Sequence, residues 1–227
     1  MARKPATNSA ETRESIVEAA FKLFGKYGYE GVSVDQIAKA TNLTKGALYW
    51  HFASKDALYF ECLKRLRKFV RRHVFLPMEE EKRPEVRIRL FFEGIIAILQ
   101  DNNLLDSVTG YILDVGRINP DFYREFKARG NEEYERFMVE TLEAGRVQGI
   151  FSFNEEAASL ARAMSMMIEG SFLQMREEPQ ESTLKGIRAL YYTFCRGIGG
   201  APMQLNIAPV VSQEQTPGDT VSLNQFN

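Results

Sequence analysis

The chain has 227 residues, of which 44% are hydrophobic and 26% are charged, a composition typical of a globular protein. No apolar run reaches the ~18 residues of a membrane-spanning helix, and no apolar stretch follows the basic first residues, so we expect no secretory signal. Two cysteines and two histidines offer little for a disulfide framework, a metal site or a histidine-based triad. These features predict a cytoplasmic protein with no metal site and no membrane partner.

The net charge of −1 conceals an uneven distribution of charge along the chain. Residues 1–73 carry 14 Lys and Arg against 7 Asp and Glu, whereas the remainder carries 15 against 23. The first part therefore has a charge of +7 and the rest a charge of −8. A basic segment joined to an acidic body suggests a unit that binds a polyanion, attached to a second unit with another role.

Apolar residues recur at spacings of three and four along the first third of the chain, which predicts amphipathic helices. The helices predicted there cover 10–27, 34–40, 45–51 and 55 to about 72. Three of these helices are preceded by an N-cap residue, namely Ser33, Thr44 and Ser54. Ser33 and Gln36 also have the spacing of a capping box. The sequence therefore predicts two very short helices between two longer ones.

The rest of the chain has the same helical pattern, and no strand-like alternation of four to eight residues appears. Helices are predicted near 85–100, 103–116, 120–147, 155–177 and 182–197. Residues 201–227 contain no Lys or Arg and are rich in Gln, Asn, Ser and Pro, so we predict a disordered tail there. The predicted fold class is all-α.

The two short helices are separated by the three residues Thr41, Asn42 and Leu43. Asparagine tolerates the left-handed conformation that a tight turn requires. Two short helices joined in this way form a helix-turn-helix, whose second helix has the size to enter a DNA major groove. The apolar residues that we expect to pack the two helices together are Ile37, Leu43, Leu48 and Phe52.

Residues 44–47 occupy the N-terminal turn of the second short helix, which is the part of a recognition helix that meets base edges. Hydroxyl, indole and imidazole donors follow at 49–51, where they can reach phosphates. Lys55 adds its charge to a helix N-terminus that already favours anions. The predicted DNA-binding set is Ser33, Thr44, Lys45, Gly46, Ala47, Tyr49, Trp50, His51 and Lys55.

These residues belong to a longer pattern. Residues 10–60 resemble the DNA-binding domain of the tetracycline-repressor (TetR) family of bacterial transcription regulators. The positions that carry the resemblance are Phe24, Gly28, Tyr29, Ser33, Val34, Ile37, Ala38, Leu43, Thr44, Lys45, Gly46, Ala47, Leu48, Tyr49, Trp50, His51, Phe52, Ser54, Lys55, Asp56 and Leu58. Asn42 stands where the family often has glycine, and both residues tolerate the turn.

The resemblance implies contacts of Tyr49, His51 and Lys55 with phosphates, while Lys45, Gly46, Ala47 and Trp50 face the groove. It also implies an N-terminal three-helix domain of residues 1–55, with the start of a connecting helix, and a helical effector-binding and dimerisation domain of residues 56–200. The expected function is that of a ligand-responsive regulator, a repressor that binds a palindromic operator as a homodimer. A small-molecule effector of unknown identity then releases it from DNA.

Aromatic and methionine side chains around the apolar helix 85–100 can line a pocket for a small apolar effector, although an ordinary core explains them equally well. Two acidic residues in apolar surroundings can meet a cationic effector. The candidate effector-binding residues are Phe92, Ile95, Tyr111, Asp114, Phe137, Met164, Met167 and Glu169.

The last two predicted helices each carry an apolar stripe, which is typical of helices that pair with a second copy in a four-helix bundle. The residues predicted for this dimer interface are Ala161, Ile168, Phe172, Ile187, Leu190, Tyr191 and Phe194.

Two other functions are compatible with a helical chain, namely an enzyme and an adaptor that uses the helix-turn-helix to dock a protein. The motifs of a P-loop, a dinucleotide loop and a zinc protease are absent from the sequence, and the glycines at 197–200 follow a predicted helix rather than a strand. We therefore predict no catalytic residue. The basic residues between 64 and 72 are interpreted as a solvated helix face.

Overall fold

The computed structural model describes residues 6–100, 111, 120–174 and 180–206. Every regular element in these ranges is helical. The α-helices are α1 (Ala6–Tyr27), α2 (Val34–Ala40), α3 (Lys45–His51), α4 (Lys55–Val70), α5 (Leu76–Glu80), α6 (Pro84–Gln100), α7 (Pro120–Val147), α8 (Ala157–Gln174) and α9 (Gln180–Gly197). A π-helical turn, Arg71–Phe75, joins α4 to α5. None of the described helices combines the length and the apolar character needed to cross a membrane.

The predicted caps are present at the starts of the short helices. The Ser33 hydroxyl accepts the Gln36 N–H at 3.2 Å, and the Gln36 side chain accepts the Ser33 N–H at 2.6 Å, which completes the capping box. The side chains of Thr44 and Ser54 each accept the N–H three residues further on. These bonds fix where α2, α3 and α4 begin.

The turn between α2 and α3 has the conformation expected from its sequence. Asn42 has a φ of 54°, in the left-handed region that asparagine tolerates. The Leu43 N–H then donates to the Ala38 carbonyl at 2.8 Å, which closes the turn on the end of α2. The angle between the two short helices is therefore set by a few local bonds.

The first four helices share one hydrophobic core. Fully buried side chains from each helix meet there, and they include Ile16, Ala20, Phe24, Ile37, Leu48, Leu58 and Cys62. Leu48 is the buried anchor of α3, and Phe52 after it is also buried. Because α4 packs on α1 and also leads into the rest of the molecule, the limits of the two domains, 1–55 and 56–200, stay a prediction.

The C-terminal body is built around α6, which contacts α5, α7 and α9. The Phe92 ring of α6 lies 5.2 Å from the Tyr191 ring of α9. At Gly94 the backbone approaches the π-helical turn so closely that a Cβ would lie 2.7 Å from the His73 carbonyl oxygen. The body is therefore packed directly against the turn in which α4 ends.

The first residues of the predicted tail are packed on this body. The Met203 N–H donates to the Tyr191 hydroxyl at 3.0 Å, and the Asn206 N–H donates to the Glu93 carboxylate at 2.5 Å. Leu205 is partly buried against the hydrophobic core. Residues 201–206 therefore belong to the folded body, and the rest of the predicted tail lies outside the described residues.

Candidate nucleic-acid interface

Helix α3 presents one face to the core and the other to solvent. Leu48 is fully buried, whereas the side chains of Tyr49 and Trp50 are 44% and 74% exposed. The N-terminal turn is also accessible, because Thr44 is exposed and a Cβ at Gly46 would meet no atom closer than the Thr44 hydroxyl at 4.0 Å. The backbone of this turn can thus approach another surface closely.

Lys45, the first residue of α3, is held by an acidic residue of α2. Its Nζ lies 2.9 Å from Oδ2 of Asp35, and the two side chains are 53% and 65% exposed. The hydrogen bond and the negative charge of Asp35 raise the pKa of the Lys45 ammonium above its usual value. Asp35 was not among the residues predicted from the sequence, since its contact with Lys45 crosses the turn between two helices.

His51 lies at the far end of α3, where α1 and α4 also meet. Its ring makes an edge contact with Trp50, the ring centroids being 4.7 Å apart. Arg13 of α1 lies nearby, 4.8 Å above the Phe52 ring and 3.1 Å from the Glu61 carboxylate. Burial, and then the charge of Arg13, lower the pKa of the His51 imidazole below its usual value. The environment of the ring in the folded chain therefore disfavours the imidazolium.

Lys55, the first residue of α4, is positioned by an aromatic ring. Its Nζ lies 4.0 Å from the centroid of the Tyr29 ring, a cation–π geometry. The Tyr29 hydroxyl in turn donates to the Asp56 carboxylate, and burial together with this bond raises the pKa of Tyr29. The Lys55 charge thus stands beside the Ser54 cap, at the start of a helix.

The basic residues between 64 and 72, predicted to form a solvated helix face, mostly form ion pairs with acidic residues of the same chain. The ion pairs join Lys64 to Glu61, Arg65 to Glu14, Arg67 to Glu133, and Arg71 to Glu79 and Glu133. Lys68 and Arg72 are exposed, and neither makes an ion pair within the described ranges. Of these acidic partners, Glu79 and Glu133 lie outside residues 1–73, so the rest of the chain supplies two of the negative charges that pair with this basic segment.

The predicted effector-binding residues lie in several places. Phe92, Ile95, Phe137 and Met164 are buried in the body, whereas Met167 is 41% exposed and Glu169 is half-buried. Asp114 lies outside the described residues.

Tyr111 is buried against α1. Its hydroxyl donates to the Phe21 carbonyl of α1 at 3.2 Å, and its ring stacks on Phe21 with the centroids 5.2 Å apart. The sequence carried no sign of this contact across 90 positions. Tyr111 therefore joins the two parts of the chain in this structure instead of facing the buried aromatic residues of α6.

The residues predicted for the dimer interface are nearly all used inside the chain. Ala161, Ile168, Phe172, Ile187, Tyr191 and Phe194 are buried, and Leu190 is partly buried. The apolar stripes of α8 and α9 pack on α7 and α6, as the bond from the Tyr134 hydroxyl to the Ala161 carbonyl at 2.9 Å illustrates. Most of these side chains therefore belong to the core of the subunit itself, and their role in a dimer interface stays a prediction.

Neither cysteine has the properties of a nucleophile. Burial raises the pKa of the Cys62 thiol to about 12 and that of Cys195 to about 11, so both stay protonated at neutral pH. In the part of the chain that the structure describes, no three His, Cys, Asp or Glu side chains are placed to hold a metal ion together.

Comparison with known proteins identifies the family of this chain. A family model of bacterial regulatory proteins of the tetR family matches residues 16–62. The HTH-type transcriptional regulator AcrR of Shigella flexneri is 44% identical over 61 residues, 27% of this chain and 28% of that protein. The uncharacterized HTH-type transcriptional regulator TtgW of Pseudomonas putida is 35% identical over 101 residues, 44% of this chain and 69% of that protein. The chain belongs to the TetR family.

The likeness extends beyond the TetR helix-turn-helix. A TetR transcriptional regulator from Chloroflexus aurantiacus J-10-FL superposes with a TM-score of 0.74 at 22% identity, over 84% of this chain and 96% of that one. The predicted family and the predicted all-α fold are thus confirmed. In sequence, the match to AcrR spans less than a third of that protein. The matched TetR relatives are transcriptional regulators rather than enzymes.

The environment of His51 predicts how its ring titrates. We expect a pKa below the usual 6.5, because burial and Arg13 both disfavour the imidazolium. Between the two values the unfolded chain binds more protons than the folded chain, so the His51 contribution to the free energy of unfolding is fully present above pH 6.5 and decreases as pH falls through this window.

An NMR titration of the His51 ring measures this pKa directly. Arg13→Gln should raise it only in part, because burial is the larger cause. A ring that titrates at or above 6.5 in the folded protein would contradict the described environment.

Proposed function

We propose that the chain is a DNA-binding transcriptional repressor whose helix α3 enters the major groove. The observation that carries the proposal is the exposure of Lys45, Tyr49 and Trp50 on α3, while Leu48 of the same helix is fully buried. A related protein, the probable acrEF/envCD operon repressor of Escherichia coli (strain K12), is 30% identical over 93 residues. Its name supports repression as the mode of regulation.

The side chains around α3 divide into two roles. Thr44, Lys45, Gly46, Ala47 and Trp50 are proposed to face base edges, because they lie on the N-terminal turn and the exposed face of the helix. The proposed phosphate contacts come from Ser33, Tyr49, His51 and Lys55, whose donors lie at helix starts or at the edge of this face.

Two lysine substitutions separate these roles. Lys45→Ala should change the preferred base at one position, at ~1–3 kcal/mol for a lost base contact. Lys55→Ala should weaken binding to every sequence alike, because phosphate contacts carry no sequence information. Selection of bound fragments from random DNA, followed by affinity measurements on the selected and scrambled sequences, distinguishes the two outcomes.

Lys82→Ala is the matched control, since this exposed lysine lies between α5 and α6, far along the chain from α3. Repeating the measurements over a range of salt tests the function itself, because neutralising several phosphates makes affinity fall steeply with salt. Affinity that is insensitive to salt would favour the adaptor function, and a Lys55 effect confined to one base position would contradict its phosphate role.

We further propose that two copies associate through the outward faces of α8 and α9. Met166 and Met167 are 65% and 41% exposed there, although large apolar side chains are usually buried. The same faces carry small residues, and a Cβ at Gly170 or Gly186 would meet no atom within 4 Å. Small residues allow helices of two copies to approach closely, and a two-fold dimer would present two α3 helices to a palindromic operator, ~34 Å apart or a multiple of that distance.

Charge placed on this face should separate the copies. Met166→Glu is expected to convert a dimer to a monomer, since an unpaired carboxylate would be buried between the subunits. Sedimentation velocity measures the assembly, and circular dichroism shows that the variant is folded. Val147→Glu, at a position 84% exposed at the end of α7, is the control that should stay dimeric. A wild-type monomer, or a dimeric Met166→Glu, would contradict the proposed face.

The C-terminal body is proposed to bind a small effector that favours the conformation unable to bind DNA. Structures of the same fold include a putative regulator from Saccharomonospora viridis in complex with choline and FadR from Bacillus subtilis in complex with stearoyl-CoA. Choline is a cation and the acyl chain of stearoyl-CoA is apolar, so these ligands support testing a cationic and an apolar class of effector.

Thermal unfolding in the presence of choline, stearoyl-CoA or coenzyme A without an acyl chain tests these two classes. A ligand that binds the folded state stabilises it by about 2.7 kcal/mol at a hundred times its Kd. We expect one class to raise the Tm and to weaken binding to the selected DNA, with free coenzyme A as the control for the acyl chain. Unchanged Tm and DNA affinity with all three would exclude both classes.

A further inference from the structure

The ion pair between Lys45 and Asp35 lies where the proposed DNA-binding face begins. Lys45 opens α3 and Asp35 lies in the first turn of α2, and their charged atoms are 2.9 Å apart. More than half of each side chain is exposed, and ion pairs in such a setting contribute little to stability. The main effect of the pair is therefore on what the Lys45 ammonium can contact.

The electrostatics of the two helices explain why Lys45 needs a partner. A cation at a helix N-terminus is disfavoured by the helix dipole, whereas a carboxylate in the first turn is favoured. Asp35 thus compensates a charge that α3 itself does not stabilise. On a surface that faces DNA, the same carboxylate repels phosphates, so Lys45 and Asp35 together add almost no attraction for DNA of arbitrary sequence.

The pair is complementary to the major-groove edge of one base pair. In a G·C pair the guanine O6 and N7 accept hydrogen bonds beside the cytosine N4 amino group, which donates. The guanine O6 and the cytosine N4 are joined by a hydrogen bond of about 2.9 Å. The charged atoms of Lys45 and Asp35 are also 2.9 Å apart, so each can face one of these two base atoms. At an A·T pair the adenine amino group lies between adenine N7 and thymine O4, so an ammonium beside Asp35 reaches only one acceptor, whereas guanine offers it both O6 and N7.

We propose that Asp35 is a specificity-determining residue that reads one G·C base pair jointly with Lys45, and that it restrains Lys45 from binding phosphates elsewhere. Lys45 donates to the guanine, and Asp35 accepts from the cytosine amino group. The inference rests on the proposed function, since it requires α3 in the major groove. The inference adds two things to the proposed function: a contact from Asp35 on α2, and the identity of the base pair that it reads.

The experiment compares the base preferences of the wild type, Asp35→Ala and Lys45→Ala by selection from random DNA, and adds Asp35→Asn as a variant that removes the charge but keeps a carbonyl acceptor. The wild type should require G·C at one position of each half-site, and both alanine variants should lose about tenfold of the discrimination at that same position. Asp35→Asn should also bind scrambled DNA several-fold more tightly, with a salt slope steeper by about one because Lys45 is released to phosphates.

Glu30→Gln is the control, because it removes an equivalent exposed charge that lies outside α2 and α3. It should leave every base preference unchanged. Both Asp35 substitutions alter an exposed side chain, and circular dichroism confirms that the variants keep their helices.

The outcomes separate this inference from the proposed function. If the wild type selects a sequence but Asp35→Ala keeps every base preference, the inference alone is overturned. It is also overturned if the two alanine variants relax different positions, or if the shared position is not G·C. If the wild type selects no sequence at all, the proposed function fails, and this inference fails with it.

Discussion

The exposed face of α3 depends on the burial of Leu48. A helix of seven residues is too short to be stable by itself in water, so its orientation is set by the side chain that anchors it to the core shared by α1, α2 and α4. Successive residues of an α-helix are ~100° apart around its axis. With Leu48 fully buried, Trp50 therefore points to the opposite side, and it is 74% exposed.

Helices α1 to α4 and the body are joined at two places, one within α4 and one just past its end. In its first half, the Tyr59 ring of α4 is 5.2 Å from the ring of Tyr111, which lies against α1 with its hydroxyl on the Phe21 carbonyl. Past its end, Arg71 of the π-helical turn pairs with Glu133 of α7. A rearrangement of the body relative to α1 must break these contacts or move α4 with them. They are the physical connection between the body and the orientation of α3.

The hydrophobic effect determines which residues of α8 and α9 are buried in the subunit and which stay exposed. The strongest apolar stripes pack on α6 and α7, because a single subunit has no other way to cover these faces. What remains outside are small residues with Met166 and Met167 among them. The more strongly apolar Ile168 and Phe194 were predicted for the interface from the sequence, and the fold buries both of them.

The sequence alone indicated α1 to α4 and α6 to α9, the caps of the short helices, the turn at Asn42 and the family, because each helix and cap signal acts within a few neighbouring residues. It did not predict α5 or the π-helical turn, and the predicted helix near 103–116 lies outside the described residues except for Tyr111. Which elements cover the apolar stripes of α8 and α9, and which partner holds Lys45, were decided only by the tertiary structure. The bonds of Tyr111 to α1 and of Asn206 to Glu93 span 90 and 113 positions. Such contacts depend on how whole helices pack, and a spacing pattern along the chain carries no information about that packing.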